Sequence, residues 1–255
     1  MRHSFIDEFS NLDSLITRLD PRIKIISFIL LILSIIFTRP ESFYSFGLFL
    51  LLIFILIYLS RVPPFFILKR SLVIVPFVLM IAIFIPFFKK GQVAGAYSFG
   101  TLKLTVSYGG LLILWNVFIK SFLSVLVMIT LVSTTRFVDM LKSLEKLKCP
   151  KLFIMIMSFM YRYVFLFVDE LLIMNQAKDS RMVGKNRWFN IKILANMIGS
   201  LFVRSYERGE RVYLAMCSRG YNGTIRIVNH FYIKASDWMF LILLISIIFL
   251  IKIIT

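Results

Sequence analysis

The chain is poor in the residues that most enzyme chemistry uses. Among 255 residues it has two cysteines, two histidines and 13 acidic side chains. Cys149 and Cys217 stand in unrelated contexts, so they form neither a metal knuckle nor a disulfide framework. His3 and His230 are too few, and no carboxylates cluster in the apolar segments, to supply the nitrogen-rich ligand set of a transition-metal site. His230, beside Phe231 and Tyr232, reads as an interfacial residue with an apolar body and a polar tip. No Gly-x-x-x-x-Gly-Lys-Ser/Thr phosphate loop occurs, which excludes a nucleotide-hydrolysing site of that type. An integral membrane enzyme acting on phospholipid head groups could draw acid–base chemistry from Asp169, Asp179 and Glu207. It would also need paired carboxylates or an Asp-rich motif at a membrane boundary, and neither is present.

What the chain has in quantity is apolar sequence. Hydrophobic residues make up 59% of it, too many for a soluble domain of this length. Long apolar runs predict membrane spans over 23–37, 43–59, 71–88, 109–133 and 238–254. Asp20-Pro21 is a good start for the first, with Asp suited to the cap and Pro to the first turn. Pro76 and Pro86 predict kinks in the third, and they have no matching pair in the C-terminal half, unlike the inverted repeats of a secondary carrier. Lys120 interrupts the fourth and is expected to face protein or water rather than lipid. Residues 89–108 are polar and glycine-bearing and read as a loop. A charged stretch precedes the first run and no small-residue cleavage site follows it, so the whole chain is expected to be retained.

The net charge is +17, a value often associated with nucleic acid. Here the cations flank hydrophobic spans, which is how a membrane protein marks its cytoplasmic side, so nucleic acid is not expected as a partner. Residues 133–235 hold 17 Lys and Arg against 7 Asp and Glu. Placing that block in the cytoplasm puts the N-terminus and the loop with Arg61, Lys69 and Arg70 inside as well. It leaves Lys89, Lys90 and Lys103 outside, against the rule. Residues 152–168 are nearly all apolar but broken by Arg162 and followed by Asp169 and Glu170. They are read as a helix in or near the interface in preference to a further span.

One pattern occurs twice in the basic block. Ala177-Lys178-Asp179-Ser180-Arg181 and Ala215-Met216-Cys217-Ser218-Arg219 share A-x-x-S-R, with an acidic residue eight positions before each alanine, Asp169 and Glu207. Residues 200–218 form a helix in which Arg204, Glu207, Arg208, Arg211 and Ser218 share one face. Phe202, Tyr206, Gly209, Val212 or Tyr213, and Met216 make the opposite stripe. Glu207 precedes Arg211 by four, the favourable order for a helical ion pair, and Arg162 and Asp169 are candidate partners on a second, crossing helix. Gly220 suits a left-handed helix end. An arginine there complements the helix dipole, which alone would explain Arg219. Its repetition at Arg181 points to one shared task. A planar, permanently charged fork at the end of a rigid helix suits a pocket on another protein, and two forks suit a partner with two related pockets.

These residues resemble the transmembrane T component of energy-coupling factor importers, a branch of ABC transporters, in the CbiQ form that serves cobalt or nickel uptake. The likeness covers almost the full chain. It includes Leu19-Asp20-Pro21-Arg22, Thr134-Thr135-Arg136-Phe137 and Tyr161-Arg162-Tyr163-Val164-Phe165-Leu166. It is most specific in Phe202-Val203-Arg204-Ser205-Tyr206-Glu207-Arg208 and Ala215-Met216-Cys217-Ser218-Arg219-Gly220-Tyr221. The resemblance implies an all-α integral membrane protein of about five spans with two long crossed coupling helices. Its parts are a bundle over 1–133, a cytoplasmic coupling domain over 134–235 and a last span over 236–255. It implies a multi-pass protein of the cell membrane without its own ATPase site. Its partners are two cytoplasmic ABC ATPase subunits, which bind ATP-Mg, and a substrate-capture membrane protein in the same bilayer. Ala177, Ser180, Arg181, Ala215, Ser218, Arg219 and Gly220 then meet the ATPase grooves, while Arg162, Asp169, Arg204, Glu207, Arg208 and Arg211 tie the coupling helices together. A T component serving vitamin uptake is the alternative. The chain departs from the family's usual Ala-Arg-Gly tip by Ser180 and Ser218 before the arginines, and by Met182, with Gly184 two residues on.

Overall fold

The computed structural model describes residues 14–40, 42–82, 84, 93–99, 102–181, 187–223 and 234–254. Pro86, Lys89, Lys90, Met182, Gly184 and both histidines lie outside them. The chain divides into two compact units, one of residues 2–143 with 230–255, the other of 144–229.

The first unit begins with α1 (Pro21–Ile36), for which the sequence provides the start: the Asp20 carboxylate accepts from the Arg22 N–H at 2.9 Å, and Pro21 opens the helix. It continues with α2 (Phe43–Ser60), α3 (Pro64–Leu72), α4 (Val75–Ala82), the strands β1 (Val93–Phe99) and β2 (Leu102–Ser107), α5 (Tyr108–Thr134) and α6 (Phe137–Lys146), and it closes with α9 (Ala235–Ile254). The long α5 is central and packs against α1, α2, α3 and α4, while α9 lies on α1 and α2. Phe28, Leu31 and Ile35 of α1 meet Phe49 and Ile53 of α2, Leu123, Leu126 and Val127 of α5, and Leu244 and Ile248 of α9 in one core. Leu50, Leu51, Phe54 and Ile55 of α2 and Trp238, Met239, Ile242 and Leu243 of α9 are exposed, an apolar outer face of the kind that lipid covers.

Among the described residues, four helices are long and apolar enough to cross a membrane: α2, α5, α9 and, in the second unit, α7 (Lys151–Arg181). With 16 residues, α1 reaches about 24 Å at 1.5 Å per residue, short of a full hydrocarbon core. The third expected span is not one helix. It breaks at Leu72, and a turn at Val73 and Ile74 precedes α4. Pro76 explains the position, since its ring clashes with the carbonyl four residues back, on Leu72, and it offers no N–H to continue the ladder. The expected loop over 89–108 is, in its described part, a two-stranded antiparallel hairpin with Phe99 opposite Leu102 and an irregularity between Val93 and Gly95. The alternation Leu102, Leu104, Val106 carried that signal. The fold is otherwise all-α, that of an integral membrane protein.

Between lipid-solvated helices apolar burial gives little drive for association, so buried polar contacts and satisfied helix ends matter more. Two lysines supply them reciprocally. Lys120 of α5 donates to the carbonyls of Ile36 and Thr38, at the C-terminal end of α1, at 2.9 and 2.7 Å. Lys24 of α1 donates to the Thr134 carbonyl, at the C-terminal end of α5, and to the Thr17 carbonyl, both at 3.1 Å. Lys120 thus faces protein, as the sequence requires. Lys24 is 1% exposed. Asp20, Asp139 and Asp237 lie close enough to act on its charge. Asp237 also accepts from the backbone N–H of Asp20 at 3.2 Å, which joins the foot of α9 to that of α1.

The second unit is a helix pair, α7 and α8 (Arg187–Ser218).

Candidate functional site

Three contacts fix how α7 and α8 run. The Tyr221 hydroxyl meets Met155 Sδ at 2.9 Å, the Arg208 guanidinium lies over the Tyr163 ring, and Arg204 pairs with Glu170 at 2.8 Å. As numbering rises along α7 it falls along α8, so the helices are antiparallel. Their half-buried seam on the α8 side runs through Leu201, Ser205, Arg208, Val212 and Met216.

This geometry places the predicted residues. Arg204 and Arg208 both face α7, and Arg211 pairs with Glu207 at 3.8 Å along α8. Glu170 is the carboxylate that meets Arg204 across the two helices. Adjacent helical residues point about 100° apart, and the register of the pair turns Glu170 toward Arg204. Arg162 is exposed and has no ion pair among the described residues. The Arg204 side chain is 58% exposed, so its bond to Glu170 contributes no more than about 1 kcal/mol. The apolar stripe is split: Val212 and Met216 lie on the seam, whereas Phe202 and Tyr206 are exposed, with Val203, Tyr213 and Leu214. Hydrophobic patterning alone does not say which side of such a helix meets its neighbour and which meets lipid or a partner.

The two A-x-x-S-R segments end α7 and α8. In each, the serine hydroxyl turns back onto the carbonyl four residues earlier, Ser180 onto Gln176 at 2.9 Å and Ser218 onto Leu214 at 3.0 Å. The serines are therefore occupied within their own helices. Ala177, Ser180, Arg181, Ala215, Ser218, Arg219 and Gly220 are all exposed. Among the described residues neither the Arg181 nor the Arg219 side chain has a hydrogen-bond or ion-pair partner. Because the helices are antiparallel, the two arginines sit at opposite ends of the pair. The 32 residues of α8 set their separation at about 45 Å at the α-helical rise.

The second tip is shaped by Gly220, whose φ is +78°. The Tyr221 N–H reaches the Met216 carbonyl at 3.1 Å and the Gly220 N–H the Cys217 carbonyl at 3.0 Å, the paired bonds of a Schellman end. The neighbouring Cys217 thiol, one helical turn on, holds the Tyr213 hydroxyl above its ordinary pKa. A Cβ added at Gly220 meets nothing within 4 Å. Gly220→Ala should therefore cost only the left-handed backbone penalty, about 1 kcal/mol, and should speed hydrogen exchange at the Gly220 and Tyr221 amides while leaving the Glu170–Arg204 region unchanged.

The profile of the CbiQ family, described as cobalt transport protein, matches residues 13–231. The uncharacterized protein MJ1571 of Methanocaldococcus jannaschii is 31% identical over 247 residues, covering 93% of this chain and 82% of that protein. An energy-coupling factor transporter transmembrane protein of Macrococcus caseolyticus is 28% identical over 86% of this chain and 84% of its own. The nickel permease LarQ of Lactiplantibacillus plantarum is 32% identical over a shorter stretch, 35% of this chain and 33% of that protein. The family is one of transporter membrane components rather than enzymes. On a match spanning most of its length, the chain belongs to the CbiQ cobalt transport protein family.

Proposed function

We propose that this chain is the membrane-embedded coupling subunit of an energy-coupling factor importer, and that it serves the uptake of cobalt or nickel ions. ATP-Mg, bound by two cytoplasmic ATPase subunits, drives their closure. Arg181 and Arg219, seated in grooves on those subunits, carry the movement into α7 and α8. The helix pair moves a substrate-capture membrane protein held against its exposed apolar side. In this reading residues 1–133 and 236–255 are the anchoring bundle, 134–235 is the coupling domain, and the N-terminus and coupling domain face the cytoplasm of the cell membrane.

The observation that carries the proposal is the placement of two exposed guanidinium forks at opposite ends of one antiparallel helix pair. That arrangement offers one tip to each half of a two-fold ATPase pair, and the planar fork suits directed bonds to carboxylates or backbone carbonyls. Phe202, Val203 and Tyr206 provide apolar surface for a partner within the bilayer. Cobalt is named in the family description and nickel in the name of the Lactiplantibacillus relative. Among the described residues no three His, Cys, Asp or Glu gather as a metal-binding group, and capture of the metal falls to the partner.

Proteoliposomes test this directly. With this chain, an ATPase pair and a capture protein present, radiolabelled cobalt or nickel should accumulate only when ATP is supplied on the ATPase side. Equal accumulation with this chain omitted would overturn the proposal.

A further inference from the structure

The turn between α6 and α7 carries positive charge where local rules disfavour it. α6 ends in a Schellman arrangement, with the Cys149 N–H on the Leu144 carbonyl and the Lys148 N–H on the Glu145 carbonyl, both at 3.1 Å. The left-handed position of that motif, usually glycine, is held by Lys148, with φ 66°. α8 uses Gly220 for the same task. The first residue of α7 is Lys151, a cation at the positive end of a 31-residue helix. Neither lysine helps to form the turn, so their charge needs another reason. Lys142 is buried and pairs with Asp139 at 3.7 Å. Lys146, Lys148 and Lys151 are exposed, and among the described residues their side chains have no hydrogen bond or ion pair. Glu145 is the one carboxylate from 142 to 151, which leaves the turn net positive. Leu147, Leu152 and Phe153, beside the lysines in sequence, are exposed as well. Only α6, with ten residues and about 15 Å long, separates the turn from the end of α5 along the chain.

We infer that this turn lies on an anionic lipid surface, with its three lysines among the phosphates and Leu147, Leu152 and Phe153 at the acyl boundary. Lysine is a flexible point charge that meets phosphate without fixed geometry, which suits a fluid surface. Basic residues close to a membrane span are drawn to anionic head groups, and apolar side chains among them gain by entering the boundary. An acidic protein face would pair the lysines and leave the apolar side chains uncovered. A zwitterionic surface offers the lysines no net attraction. The inference uses neither Arg181 nor Arg219 and holds for either side of the membrane. It therefore stands or falls separately from the docking of those tips.

A fluorophore on Cys149 reports the contact, with Cys217→Ser removing the other thiol. The full chain is placed in nanodiscs of phosphatidylglycerol or phosphatidylcholine, each doped with a nitroxide lipid that quenches at head-group depth. Quenching should be strong in phosphatidylglycerol and weak in phosphatidylcholine, because a net charge of this size favours contact by roughly tenfold or more. Lys146→Gln, Lys148→Gln and Lys151→Gln together should bring the phosphatidylglycerol value down to the phosphatidylcholine one. Lys148→Gly removes one cation yet suits the left-handed backbone, so it should fold at least as well as the wild type and still lower the quenching. It covers the case in which the triple variant does not fold. Lys69→Gln with Arg70→Gln removes two cations elsewhere and should change nothing. Equal quenching in the two lipids, an unchanged signal in the triple and Lys148→Gly variants, or an equal loss in the Lys69/Arg70 variant would each overturn the inference.

Discussion

Replacing Arg181 and Arg219 together by alanine is expected to abolish ATP-dependent uptake while leaving the chain folded and in the membrane. The two halves of this expectation have separate grounds. Both side chains are exposed and have no partner among the described residues, so their loss should change stability by no more than about 0.5 kcal/mol. Against an ATPase groove, each guanidinium would make charge-assisted hydrogen bonds contributing about 1.5–3 kcal/mol apiece. The tips are far enough apart for their losses to add, which predicts a fall in ATPase affinity of roughly a hundredfold to ten-thousandfold. Lysine at both sites keeps the charge but loses the fork, and should restore only part of the binding. Co-purification with the ATPase pair and uptake in proteoliposomes report the two effects, and the melting temperature of the isolated chain reports the control. A double alanine variant that assembles and transports at the wild-type rate removes the basis for the docking role.

Lys24→Met should do the opposite. It destabilises the membrane unit and touches no surface assigned to a partner. Lys24 is 1% exposed and holds the carbonyls of Thr17 and Thr134 amid the carboxylates of Asp20, Asp139 and Asp237. Methionine fills a similar volume but supplies no donor and no charge. The carbonyl of Thr134 would stay buried without that bond. Leaving a buried carbonyl without its donor costs about 1–3 kcal/mol, against total stabilities of about 5–15 kcal/mol for a typical domain. The expected result is a large drop in the yield of folded chain and in its melting temperature, read by fluorescence-detected size exclusion after heating. Lys24→Arg should recover part of the loss, because it keeps the charge. A Lys24→Met variant that melts with the wild type would show that the network adds nothing.

The sequence reports local features well. Asp20 and Pro21 start α1 and Gly220 ends α8 as their residue types require, because a cap is decided by a few neighbouring backbone groups. The doubled A-x-x-S-R pattern was visible at once, and the structure adds that both serines bond inside their own helices. What escaped depends on register between elements distant in sequence. Glu170 and Asp169 are adjacent carboxylates, and only the rotation of α7 against α8 decides which meets Arg204. Nothing local marks Lys24, since its acceptors lie at residues 17 and 134 and no spacing rule links them. The break at Leu72 was locally encoded in Pro76 but was read as a kink within a continuous span.

The reciprocal lysines of α1 and α5 have a mechanical consequence. Each helix has its terminal carbonyls held by a side chain rooted in the other, at both ends of their contact. Sliding one past the other by a single turn, a displacement of about 5.4 Å, would strip both ends at once. That route of deformation is closed. Any displacement imposed on this part of the protein must be taken up by tilting or translating α1 and α5 as a single rigid strut.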